Sequence, residues 1–141
     1  MVENFPFIDG EKTAIWGWSY GGYAAALTLA RDSENVFKCG MSVAPVTSWL
    51  YYDTIYTERY MSLPTAEDNE LAYNNSDINL LAENMRNKRF YLLHGTADDN
   101  VHYQQSMMLS KSLESLDILF RQQVRTINSL NAKYLRLNIP T

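Results

Sequence analysis

The residue types and spacing with the clearest chemical meaning are Gly17-Trp18-Ser19-Tyr20-Gly21, followed at once by Gly22. The apolar run Thr13-Ala14-Ile15-Trp16 precedes them and the small residues Ala24, Ala25 and Ala26 follow, which predicts a strand, a sharp turn and a helix with serine at the apex. So tight a turn leaves no room for a Cβ on either side, hence the flanking glycines. It lifts the Ser19 hydroxyl clear of the sheet as a candidate nucleophile. The Tyr20 amide and the start of the helix then point at the place where an oxyanion would form. This is an arrangement for acyl transfer through a serine.

The elements that must hold such a serine are legible as alternating strands and helices. Strands are predicted over Lys12–Trp16, Lys38–Val43, Arg89–His94 and Ile118–Val124. Helices are predicted over Gly21–Arg31, Asp77–Met85 with Asp77 or Ser76 as cap, and His102–Leu116 with Met108, Leu109, Leu113 and Leu116 on one face. The tyrosine-rich stretch Trp49–Leu63 reads as irregular. Alternation of this kind implies an α/β fold with a parallel sheet, whose functional loops lie at the carboxyl ends of the strands. Ser19 and the loop Gly95–Val101 both fall there.

Composition bounds the rest. A chain of 141 residues buries one core of ordinary size. The net charge of -4 comes from mixed signs without a basic block, which gives no support to a nucleic-acid partner. No apolar run is long enough to span a membrane, and no targeting signal is visible at the start. The single cysteine, Cys39, has no internal partner and reads as a buried thiol in a strand. Asn74-Asn75-Ser76 is a glycosylation acceptor pattern at Asn74, meaningful in a secreted chain and otherwise a polar turn.

Five stretches together resemble the catalytic domain of the dipeptidyl peptidase IV family, in the prolyl oligopeptidase group of serine peptidases. They are Ile15–Tyr23, Val36–Gly40, Val43–Val46, Tyr56–Met61 and His94–His102, in the same order and with similar spacing. The resemblance runs from about Phe5 to Val124. It implies the C-terminal part of an α/β-hydrolase domain, a parallel sheet flanked by helices and incomplete. It also implies cleavage after a penultimate proline or alanine, with no cofactor.

Residue by residue, the resemblance makes Ser19 the nucleophile and the Tyr20 amide a donor to the oxyanion hole. Asp98 matches the carboxylate that holds a histidine in its working tautomer. Asp99 is the rival in the same loop, and the resemblance alone favours Asp98. Val46, Trp49, Tyr52, Tyr56 and Val101 match positions lining a small apolar pocket for a proline ring, and Asn100 an amide that bonds a substrate carbonyl. Loop packing is the other reading of the tyrosines. The resemblance further implies peptide substrates, a homodimeric parent, and a location at the cell surface or outside the cell.

Departures from the family are equally informative. The family carries its catalytic histidine after the fourth strand, whereas here Val124 is followed by Arg125-Thr126-Ile127-Asn128-Ser129-Leu130 and no histidine occurs beyond His102. His94 stands at a strand end, where bracing the loop suits it. His102 is too close in sequence to Asp98 to reach Ser19 easily. His94, Asp98, Asp99 and His102 match no helical zinc spacing, and no metal is expected. The family's upstream strands, its β-propeller and an oxyanion tyrosine would precede Met1, and the family partner of Cys39 would lie near a different C-terminus. The expectation is a partial peptidase domain over 1–124 and a divergent tail over 125–141, with Ile127, Leu130, Tyr134 and Leu137 at helical spacing. Such a chain is expected to be inactive alone. The alternatives are a non-catalytic product with at most a binding role, or another α/β-hydrolase such as an esterase.

Overall fold

The computed structural model describes residues 4–126. The predicted tail helix over 127–141 lies outside the described residues. Four strands form one parallel sheet in the order β1 (Ala14–Trp18), β2 (Cys39–Val43), β3 (Arg89–Gly95) and β4 (Arg121–Arg125). Between them run α1 (Tyr20–Arg31), α2 (Thr54–Met61), α3 (Glu70–Ser76) and α4 (Gln104–Ser115).

β1 begins later than its apolar run suggests, because Gly10–Lys12 forms a 3-10 turn capped by the Asp9 carboxylate on Glu11 N. β4 likewise begins only at Arg121. The stretch expected to be irregular contains a 3-10 turn, Trp49–Tyr51, and then α2, whose start is fixed by the Asp53 carboxylate accepting from Tyr56 N at 2.8 Å. The helix expected over 77–85 is a 3-10 helix that starts two residues later, directly after α3. Asp77 ends α3 and accepts from Asn79 N at 2.8 Å, opening the 3-10 helix Asn79–Met85.

One face of the sheet carries the main core. Leu29 and Ala26 of α1, Phe90 and Leu92 of β3, Ile78, Ala82 and Met85, and Leu109 and Leu113 of α4 pack into a single cluster. The buried side of α4 is Gln105, Ser106, Leu109, Ser110 and Leu113, so Leu116, expected on that face, is exposed instead. Strand alternation sends Trp16 and Trp18 to the other face with their register partners Met41 and Val43. There Val43, Ala44 and Leu93 form a smaller cluster, and Trp16 is 68% exposed.

Cys39 opens β2 with a free thiol that is half-buried instead of enclosed. Asn74 is exposed, and its tripeptide is the last turn of α3 instead of a polar loop, with the Ser76 hydroxyl donating back to Ala72 O.

Candidate active site

Ser19 sits between the end of β1 and the start of α1 with φ 56° and ψ -121°. A non-glycine residue there is strained, and the surroundings hold it in place. Ser19 N donates to Val43 O at 2.9 Å, and Ser19 O accepts from Tyr23 N at 3.0 Å. The hydroxyl does not cap the helix and remains half-exposed. Tyr20 opens α1, so its N–H is one of the donors that a helix start leaves without an intrahelical partner.

Two of the three glycines are sterically required. A Cβ on Gly17 would lie 2.1 Å from Gly21 O, and one on Gly22 would lie 2.9 Å from Val43 O. Gly21 differs from the expectation, since a Cβ there meets nothing within 4 Å. The crowding lies where the helix crosses back over its own strand, and Gly21 supplies backbone to that crossing.

Two strands away, Asp98 follows β3. Its Oδ1 accepts from Asn100 N at 3.1 Å and Val101 N at 3.0 Å, folding the loop around a carboxylate whose side chain is 10% exposed. Asp99 points to solvent. Behind Asp98 lies His94, fully buried, with Nε2 2.8 Å from Val101 O and Nδ1 2.6 Å from Ser106 Oγ. A carbonyl only accepts, so Nε2 carries the proton and Nδ1 accepts from the serine hydroxyl. Burial lowers the His94 pKa, against the raising effects of the Val101 carbonyl and the Asp98 charge 3.8 Å away. Both ring nitrogens are therefore engaged within the loop. His102 is exposed, and its carbonyl starts α4 by accepting from Gln105 N. Among the described residues, no group of three or more His, Cys, Asp or Glu gathers that could hold a metal ion.

Aromatic rings join the two loops. Trp49 is 7% exposed and lies 5.0 Å from Tyr23, 6.0 Å from Tyr20, 5.9 Å from Tyr52 and 6.1 Å from Tyr56 between ring centroids. Tyr56 stacks on it at 21°, and Tyr52 meets Tyr56 edge-on at 86°. The Tyr52 hydroxyl donates to Asn100 Oδ1 at 3.2 Å, closing the chain of contacts from Tyr20 to the Asp98 loop. Desolvation raises the Tyr52 pKa, with the charges of Asp53 and Asp98 and neighbouring Tyr56 adding to it, so the phenol keeps the proton it donates. Val46 and Val101 are each 2% exposed within the core and back the aromatic wall instead of facing outward. Tyr20 and Tyr23 also join this wall as rings, and in the sequence only their spacing beside Ser19 marks them.

Hollows of about 360 Å³ and about 620 Å³ lie around Arg31 and Asp32, at the far end of α1 from Ser19. Arg31 and Lys88 there are committed, to Asn75 O and to Asp32 with Leu29 O. No helix among the described residues is long and apolar enough to cross a membrane.

Known proteins resemble this chain in sequence and in fold. Venom dipeptidyl peptidase 4 of Apis mellifera is 61% identical over 126 residues, 89% of this chain and 16% of that protein. Dipeptidyl peptidase 4 of Bos taurus is 54% identical over 115 residues, 82% of this chain and 15% of that protein. The chain thus spans a small part of the length of these relatives. The crystal structure of Porphyromonas gingivalis dipeptidyl peptidase 4 superposes on 90% of this chain, and 18% of its own, with TM-score 0.82 and 36% identity. The match to the family of these peptidases runs over residues 1–128, through every element that carries Ser19, Asp98 and the aromatic wall, and the chain belongs to the prolyl oligopeptidase family.

Proposed function

We propose that this chain is the nucleophile-bearing part of a serine dipeptidyl peptidase. The observation that carries the reading is Ser19 itself, an uncapped hydroxyl held at φ 56° beside the first free amide of α1. Ser19 Oγ attacks the carbonyl carbon of the substrate's second residue, and the Tyr20 amide donates to the oxygen that becomes negative. The C–N bond then breaks, the amine leaves with the proton that the base took from Ser19 Oγ, and water, passing a proton through the same base back to Ser19, releases the dipeptide from the acyl-enzyme. Asp98, with the better-anchored carboxylate, is the residue that orients the base, and exposed Asp99 is not. The ring of a penultimate proline, or the methyl of alanine, lies against Trp49, Tyr52 and Tyr56, backed by Val46 and Val101. With Asn100 Oδ1 taken by Tyr52, the Asn100 NH2 is left to donate to a substrate carbonyl.

The base is not among these parts. His94 spends both nitrogens inside the loop, and no hydrogen bond joins the His102 ring to Asp98 among the described residues. The 141-residue chain alone is therefore inert, because a protonated serine is a poor nucleophile. The family resemblance implies an active protein that is a homodimer, secreted or at the cell surface, and one relative is named as a venom protein. Asn74 is its candidate glycosylation site.

The test is a chimera in which this segment replaces the matching part of the Apis mellifera relative. It is expected to hydrolyse a Gly-Pro anilide and to be labelled at Ser19 by a fluorophosphonate, whereas the 141-residue chain turns over no substrate. Ser19→Ala abolishes both activities of the chimera. Asp98→Asn lowers turnover by about 10⁴-fold, the usual effect of removing a triad carboxylate, and Asp99→Asn does not. Activity that survives Ser19→Ala would sink the reading.

A further inference from the structure

The segment between β2 and Trp49 is an anomaly for a loop, since residues 42–49 are all buried. Buried backbone outside regular structure must find partners for its N–H and C=O groups. One side chain supplies three of them. Gln105, fully buried on the first turn of α4, accepts at Oε1 from Thr47 N at 2.8 Å, Ser48 N at 3.0 Å and Thr47 Oγ1 at 3.1 Å. Its Nε2 donates to Ser48 O at 3.1 Å. The Thr47 hydroxyl also lies 2.8 Å from Gln105 O, and Thr47 O accepts from Ile78 N at 2.9 Å.

Two loops are fastened to α4 by adjacent residues. Gln105 holds the chain immediately before Trp49, the hub of the aromatic wall. Ser106 holds His94, whose other nitrogen grips Val101 O in the Asp98 loop. The distance between wall and carboxylate is thus set by two neighbouring side chains on one rigid helix.

We propose that Gln105 is a positioning residue for substrate selection, fixing the Trp49 wall relative to Ser19 and Asp98 without touching substrate. The proposal rests on the reading of the Ser19 site given above. Losing this amide frees the wall to move while the elbow, built from β1, Val43 and α1, stays in place. A slot that shifts by even a fraction of its width discriminates poorly between a proline ring and an alanine methyl, whereas attack on a small reagent at Ser19 is little affected.

The test uses the same chimera and two variants. Gln105→Met keeps the shape and removes all four side-chain bonds. Gln105→Glu keeps three acceptor contacts but, when ionised, sets an oxygen against Ser48 O. The ratio of kcat/KM for Gly-Pro and Gly-Ala anilides is measured at each pH, which cancels the titration of the triad. Gln105→Met is expected to lower that ratio by on the order of 10- to 100-fold, mainly through KM, with diisopropyl fluorophosphate labelling of Ser19 within about twofold of the parent. Gln105→Glu is expected to share the loss at about pH 9 and regain the ratio towards about pH 6, where the buried carboxyl gains a donor proton. An unchanged ratio in both variants overturns the proposal. So does an equal fall of both substrates and of labelling, which marks general loss of structure. If the unsubstituted chimera is not labelled at Ser19, the reading of the site fails first, and the proposal with it.

Discussion

The Tyr52 hydroxyl donates to Asn100 Oδ1 across 3.2 Å, joining a ring of the aromatic wall to the loop that Asp98 organises. Tyr52→Phe removes that bond and keeps the ring. In the chimera it should cost about 1 kcal/mol of stability and raise KM for a Gly-Pro anilide, because Asn100 loses the partner that orients it. Denaturant melts together with a KM-against-kcat split check this, and a variant with unchanged KM would remove Asn100 from substrate binding.

The elbow glycines should separate sharply. Gly17→Ala places a methyl 2.1 Å from a backbone oxygen that cannot move without breaking the strand-to-helix crossing. A loss of about 3 kcal/mol or more is expected, as for severe overpacking. Gly21→Ala meets open space inside a helix and should be neutral or stabilising by up to about 1 kcal/mol. Comparative thermal melts or soluble yields measure the difference.

His94 gives the fold a pH dependence of defined sign. Burial holds its folded pKa below the ordinary value of about 6.5, so the unfolded chain binds more protons between the two values. Its contribution to stability is full above about pH 6.5 and falls as pH drops towards the folded pKa. Melting temperatures taken over about pH 5 to 8 should decline on the acid side. His94→Gln should flatten that slope whatever it does to the absolute stability.

Asp32 acts at lower pH and at the other end of α1. Burial raises its pKa, but bonds from Phe37 N at 2.7 Å and Val36 N at 3.0 Å, with the Lys88 ammonium, more than reverse this. The folded pKa is thus below the unfolded one, and its stabilisation is present above about pH 4 and lost as pH falls through the folded value. Asp32→Ala should cost about 2 kcal/mol at neutral pH by leaving two amides without their acceptor, measured by urea unfolding.

The face of β1 that carries Trp16 and Trp18 should make the purified chain associate. Trp16, on an edge strand with an open side among the described residues, is 68% exposed, and Phe7, in a turn ahead of that strand, is 82% exposed. Trp16→Lys should shift the chain towards monomer on size-exclusion chromatography. A monomeric parent chain would refute this.

Much of this arrangement was legible in the residues alone. The strand, turn and helix around Ser19 follow from an apolar run, a Gly-x-Ser-x-Gly turn and a small-residue helix, all local in sequence. The same holds for α4, whose buried positions recur at the helical period, and for β3, a short apolar run buried over Leu92–Gly95. The stretch 49–63 was harder to read because β-branched and aromatic residues carry weak helix preference, and its helix is started by a cap, Asp53, that packing must first bring into register.

What the tertiary structure alone decided is long-range and polar. No period or composition marks Gln105 as the partner of Thr47 and Ser48, more than fifty residues away. Nothing in His94 as a letter says that both its nitrogens are spent on Val101 and Ser106. Gly21 looked like its neighbours until the helix crossing showed which glycines face a backbone oxygen. Hydrophobic pattern is set by the neighbours along the chain and so can be read from them. A buried hydrogen bond depends on two distant groups arriving within about 3 Å at the right angle, and only the completed packing fixes that.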